Sequence, residues 1–171
     1  MQPKIGQILG ITGHRPQKLY GYDDRHPGNI FVIYAIEDFL KTYQPHKVIT
    51  GMAQGVDTYA AQWCIKLNIP FIAAIPNSYQ DKVWPTEIKK KYHFLLSKAA
   101  EIITVSNDDI DMIEALNNRN KWIVDHSDHI LGVFGGYTGG TKNCLEYAKE
   151  KKKTISIINP GDYYQTNLEI L

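Results

Sequence analysis

The chain has 171 residues, 43% of them hydrophobic and 22% charged, with a formal net charge of +1. That length suits one domain with one core over residues 1–171. The near-neutral balance gives no global attraction to nucleic acid or to an anionic membrane. No apolar run approaches the length of a bilayer span, and Met1 to Gln7 lacks the charged-then-apolar pattern of an export signal, so a cytoplasmic location is expected.

In chain order, short apolar runs alternate with longer amphipathic stretches. A first strand is predicted over Gln7–Thr12. A helix follows from Asn29 to Tyr43, with Val32, Ile36, Phe39 and Leu40 at helical spacing. Lys47–Thr50 reads as the second strand and Val56–Leu67 as a helix. Pro70–Ile75 is the third strand, and Trp84–Ala99 a helix with Pro85 in its first turn. Glu101–Val105, His129–Phe134 and Thr154–Ile158 complete the strands, separated by helices over Asp111–Ser127 and Thr141–Lys151. The tail from Gly161 to Leu171 is too short for a domain, and is expected to cap the sheet or pack on a partner. Continuous apolar strands alternating with helices predict an α/β architecture: three layers, a parallel sheet of about six strands with helices on both faces. Cys64 and Cys144 lie among apolar neighbours in helical segments and are expected to be buried thiols. No metal-ligand spacing occurs, and no metal site is expected.

In such sheets ligands bind outside the carboxyl ends of the strands. The loops there carry the chemistry. Gly135-Gly136-Tyr137-Thr138-Gly139-Gly140-Thr141 leaves the fifth strand and enters a helix. Its glycines let the backbone approach a ligand, the helix N-terminus offers unpaired N–H groups to a phosphate, and Thr138 and Thr141 add hydroxyls. The competing reading is a tight turn with Thr141 as a helix cap. No Gly-Lys-Ser/Thr ending follows, so this is not a Walker A loop. Gly51 and Gly55 flank the loop after the second strand, and Asp57 sits in the next helical turn, either stabilising that helix or holding a ligand hydroxyl such as a ribose. Gly13, His14 and Arg15 follow the first strand. They open a long loop to Gly28 that has the length of a lid and contains Arg25 and His26. Arg119 stands in the polar run 117–120 and is one of only three arginines. The lysine-rich run 149–153 reads as a solvated helix end.

These segments resemble the SLOG superfamily of Rossmann-like proteins, which includes DNA-processing protein A (Smf), the Lonely Guy phosphoribohydrolases and small YpsA-like members. Gly51 to Ala61 resembles the "SGxAxGIDxxAH" segment of DNA-processing protein A. Arg119-Asn120 through Ser127-Asp128 resembles its RN and SD pair, and Gly139-Gly140-Thr141 resembles the superfamily's GGT phosphate loop. Thr12 to Pro16 is similar to the start of YpsA-like members. The resemblance runs over roughly residues 8 to 160. It implies a Rossmann-like nucleotide-binding domain, marks Arg119 as a site residue, and implies a homo-oligomer, a dimer or more. The Lonely Guy motif carries a glutamate three residues after its threonine; here that position is Cys144, with Glu146 two residues further on, and the preceding proline is Phe134.

The functional expectation is a cytoplasmic protein that binds a nucleotide or nucleotide-derived ligand, as sensor or sequestering protein, with no cofactor beyond that ligand. A nucleotide hydrolase or phosphoribohydrolase of Lonely Guy type is the first alternative, with Asp57, Asp128 and Glu146 as available acids. Single-stranded DNA binding is the second, with no basic excess to support it.

Overall fold

The structure, a computed structural model, describes the backbone of residues 7–168 and the side chains of residues 7–165. The elements in chain order are β1 (Ile8–Gly13), a 3-10 turn (Pro16–Lys18), α1 (Pro27–Tyr43), β2 (Lys47–Thr50), α2 (Val56–Lys66), β3 (Phe71–Ile75) and α3 (Thr86–Lys98). They continue with β4 (Glu101–Thr104), α4 (Met112–Asp125), β5 (His129–Val133), α5 (Gly140–Glu150), β6 (Thr154–Ile158) and α6 (Asp162–Leu168).

The six strands form one parallel sheet in the order β4-β3-β2-β1-β5-β6. Crossovers between parallel strands are right-handed. The chain therefore lays α1, α2 and α3 on one face while it moves from β1 out to β4. It then reverses direction and lays α4 and α5 on the other. The packing agrees: α1 contacts α2 and α2 contacts α3, while α4 contacts α5. The three-layer Rossmann-like α/β fold expected from the sequence is the one observed.

Pleating divides the apolar side chains between the two faces. Leu9, Ile11, Val48 and Phe71 meet Val32, Ile36 and Leu40 in the larger core. Ile49 and Ile72 meet Ile123 on the opposite face, and Ile130 meets Val124 and Leu145. Each fully buried side chain of this size contributes about 1.5–3 kcal/mol of transfer free energy. The strands carry glycine where α4 and α5 press closest. A Cβ on Gly10 would lie 2.4 Å from Ser127 Oγ and 2.9 Å from Ile123 Cγ2, and one on Gly132 would lie 2.7 Å from Leu145 Cδ2.

Local boundaries follow their caps. His26 Nδ1 accepts from Gly28 N–H (3.0 Å) at the start of α1, where Pro27 needs no donor. Asp111 accepts from the N–H groups of Ile113 and Glu114 at the start of α4. Pro85 stands one place outside α3 instead of in its first turn, because its ψ of 151° is extended. The tail packs on its own chain: the rings of Tyr163 and Tyr164 lie 5.5 and 5.9 Å from that of Tyr20. Residues 169–171 lie outside the described residues. Cys64 and Cys144 are free and buried, and burial pushes their thiols up to about 12 and about 11.

Gly10→Val is expected to lower stability by about 3 kcal/mol through overpacking between β1 and α4. Urea unfolding measures it; a midpoint unchanged within error would show that α4 does not rest on β1 at this point.

Candidate functional site

β1 has β2 on one side and β5 on the other, and the helices that follow β1 and β5 leave to opposite faces. Their carboxyl ends therefore open a crevice, the topological switch point of the sheet. A cleft of about 500 Å³ lies there. Thr12, Gly13, His14 and Arg15 line it from the end of β1. Asp57 and Ala53 enter from the β2–α2 segment, and Arg119 from α4. Thr138, Gly140 and Thr141 come from the segment into α5. Eight of the residues selected from sequence thus share one cavity. Gly51, Gly55, Gly135, Gly136 and Gly139 do not line it but shape the loops that do.

His14 ties these loops together. Its backbone N–H donates to Val133 O (3.3 Å) and its carbonyl accepts from Val56 N–H (3.4 Å), the first residue of α2. Its ring Nε2 accepts from Gly135 N–H at 2.9 Å. That bond needs an unprotonated Nε2, so the ring is the neutral Nδ1–H tautomer. Burial, helped by the Lys18 ammonium, holds the imidazole below its ordinary value of 6.5. Gly55, at φ 93°, brings its Cα against this carbonyl: a Cβ there would lie 2.7 Å from His14 O.

The N-terminus of α5 at the cleft is uncapped by side chains. Gly139, at φ 131°, precedes α5, and no side chain bonds the first N–H groups of that helix. Thr141 lines the cleft as the second helical residue and is not the cap the sequence allowed. Lys18 Nζ donates to the Thr138 carbonyl beside this helix end. Gly136 (φ 95°) has open space around it at the outer turn of the loop.

Arg119 is 4% exposed. Nη1 donates to the Gly51 carbonyl and to Gln80 Oε1 (3.4 Å), and Nε donates to Asn120 Oδ1 (3.0 Å). Gln80 Nε2 in turn donates to the Gly51 carbonyl (3.3 Å). The guanidinium thus braces the β2–α2 loop from across the sheet, and a Cβ on Gly51 would lie 2.4 Å from Nη1. Burial pushes the Asp57 carboxyl up, opposed by the charge of Arg119, by the Ala53 N–H bonded to Asp57 Oδ2 (3.2 Å) and by Arg15. Burial likewise lowers Arg119, opposed by Asp57. The two charges compensate one another under the cleft floor.

Lys18, Gln17, Asn117, Asn120 and Asn143 also line the cleft. None of the five carries a motif signal in the sequence beyond the polar run that holds the two α4 asparagines. An isolated lysine in a loop carries no spacing signal. The loop from Gly13 to Gly28 is pinned instead of free: buried Asn29 donates to the carbonyls of Gly21 and Asp23, and Tyr20 donates to Pro160 O. Arg25 points outward, paired with Asp23 at 3.1 Å. Among the described residues no cluster of three or more His, Cys, Asp or Glu side chains could hold a metal ion, and no helix is long and apolar enough to cross a membrane.

A parallel sheet whose glycine loops frame a cleft at the β1/β5 switch point defines the Rossmann-like α/β class of protein. The sequence matches the model of the YspA SLOG family over residues 9–163, and the chain belongs to that family. It is 34% identical over 135 residues to the SPbeta prophage-derived protein YoqJ of Bacillus subtilis (strain 168), covering 70% of this chain and 78% of that protein. A UPF0398 protein of Lysinibacillus sphaericus (strain C3-41) is 24% identical over 149 residues, 82% of this chain and 83% of the relative. The fold is shared with DNA processing protein A of Streptococcus pneumoniae (TM-score 0.67, 15% identity, 90% of this chain). It is shared also with the molybdenum cofactor binding protein of Rippkaea orientalis (TM-score 0.58, 18% identity, 89% of this chain and 76% of that one). The chain spans 50% of the length of the Streptococcus protein.

Arg119→Met is expected to cost about 2–3 kcal/mol, since it strips a charged donor from the buried Gly51 carbonyl and Gln80 and leaves Asp57 without its counter-charge. Chemical denaturation checks this; a loss near zero would mean the loop does not need the brace. For His14 the folded-state value lies below 6.5, so its contribution is complete above pH 6.5 and is lost as pH falls through that value. The thermal midpoint should fall from pH 7 to pH 5, and His14→Gln, which keeps an acceptor for Gly135 N–H, should fall less steeply. Parallel curves would show that His14 does not contribute to the pH dependence.

Proposed function

We propose that this chain binds a phosphorylated, nucleotide-type ligand in the β1/β5 cleft, as a sensor or sequestering protein. The observation that carries the reading is the N-terminus of α5. It opens at the cleft with no side-chain cap, Lys18 stands beside it, and Arg15 and buried Arg119 line the same cleft. Unpaired N–H groups, the positive end of the helix dipole and three cations together suit a phosphate. The Lys18 ammonium bonds the Thr138 carbonyl and is free to turn to an arriving phosphate. Asp57, the one carboxylate among the lining residues, supplies an acceptor for a ribose hydroxyl.

Binding without turnover is favoured over glycoside hydrolysis. Cys144, in the place of the Lonely Guy glutamate, is 2% exposed, and Glu146 sits outside the cleft with its carboxylate 3.6 Å from Lys142 Nζ. The fold relatives bind unlike ligands by their own descriptions: molybdenum cofactor for the Rippkaea protein and single-stranded DNA for DNA processing protein A of Helicobacter pylori. The compact cavity favours a small ligand over a strand, which needs an extended groove with stacking platforms.

The test is to denature the purified protein and identify released small molecules by mass spectrometry, followed by titration with nucleoside monophosphates. Gly140→Asp should weaken nucleotide binding by at least about tenfold through charge repulsion. A Cβ at Gly140 meets nothing closer than Asn120 Nδ2 at 3.8 Å, so the variant should fold. Undiminished binding in the folded variant would refute the phosphate position.

A further inference from the structure

One wall of the cleft is a single stripe of α4. Ile113, Leu116, Asn117 and Asn120 stand at i, i+3, i+4 and i+7, on one face of the helix, and all four line the cavity. Asn120 marks the end next to α5, since its Nδ2 lies 3.8 Å from where a Gly140 Cβ would be. Ile113 lies seven residues earlier, about 10 Å along the helix axis. That is the span from a phosphate across a ribose to a base.

The chemistry of the stripe changes over that distance. The α5 end holds cations and free N–H groups. The far end holds Ile113, 71% exposed although apolar, beside half-buried Leu116. Between them the Asn117 side chain makes no hydrogen bond to any described residue, and the amide of Asn120 accepts from Arg119 Nε through Oδ1, which leaves its Nδ2 for the cleft. No charged side chain of α4 other than Arg119 lines the cavity. An apolar shelf flanked by an unengaged carboxamide suits the flat face and polar edge of a heteroaromatic ring, not a second phosphate or an acidic sugar. A carboxamide presents a donor and an acceptor side by side, the complement of the adjacent amino group and ring nitrogen of adenine.

Resting on the phosphate-site reading above, we infer that the cleft takes an adenine nucleoside 5′-phosphate in one orientation, with the base on Ile113 and Leu116 and its edge read by Asn117. Ile113 and Asn117 are then specificity-determining residues, separate from the groups that hold the phosphate.

The experiment is calorimetric titration of the full chain with AMP, GMP and ribose 5-phosphate, in the wild type and in the double variant Ile113→Ala, Asn117→Ala. Both residues are exposed on a helix surface, so truncation leaves the core intact. The wild type should bind AMP about tenfold or more tightly than GMP or ribose 5-phosphate. The double variant should bind AMP only as well as ribose 5-phosphate, with ribose 5-phosphate itself unchanged. Wild-type AMP affinity no better than that of ribose 5-phosphate or GMP overturns the base assignment while leaving the phosphate site standing. AMP affinity unchanged in the variant, or AMP and ribose 5-phosphate weakened equally, overturns it as well. If the wild type binds none of the three, both this assignment and the phosphate-site reading fall.

Discussion

Everything at the candidate site depends on the handedness of the crossovers on either side of β1. Because parallel connections turn right-handed, a chain that builds outward to β4 and then returns to β5 must change faces between the two. The space outside β1 and β5 cannot be covered by a helix from either series. Backbone polar groups at that edge would be left open without loops to occupy it. The glycine segments after β1, β2 and β5 converge there for that reason, and the cleft follows from topology before any side chain is chosen.

Side chains then decide how rigid the crevice is. His14 reaches both neighbouring loops, through its carbonyl to the start of α2 and through its ring to Gly135. Arg119 holds the β2–α2 loop a second time, from the opposite layer, through the Gly51 carbonyl. Met52, next to Gly51, keeps a left-handed φ of 59° while fully buried, a conformation that persists only where its surroundings enforce it. The groups that face the cavity are thus largely the groups that fix its walls. Preorganisation of this kind lowers the cost of binding, since little must be ordered when a ligand arrives.

The fold was readable because its signals are local. Apolar runs such as Phe71–Ile75 and His129–Val133 are long enough to mark buried parallel strands, and the glycine clusters mark where they end. Boundaries moved by two residues where a cap decided them, as at Pro85, after which the helix begins at Thr86 and not at Trp84. The lining of the cleft was readable where a polar residue fell in a loop after a strand, as at His14 and Thr138. It was unreadable where contact joined distant segments: Lys18 meets Thr138 across 120 positions, and Gln80 meets Arg119 across 39. Arg119 shows the same limit from the other side. Its presence at the cleft could be argued from sequence, but its work of bracing Gly51 could not, since that depends on α4 crossing over β1.

The two cysteines have a practical consequence. Cys64 lies in the larger core beneath α2, and Cys144 lies under the first turns of α5, directly behind the glycine loop. Burial keeps both as neutral thiols, away from the thiolate form that alkylating reagents attack. The folded chain therefore carries two silent reporters in different layers, one beside the cleft and one remote from it. Their relative labelling rates distinguish an opening of the glycine loop from a loosening of the whole sheet, without any introduced probe.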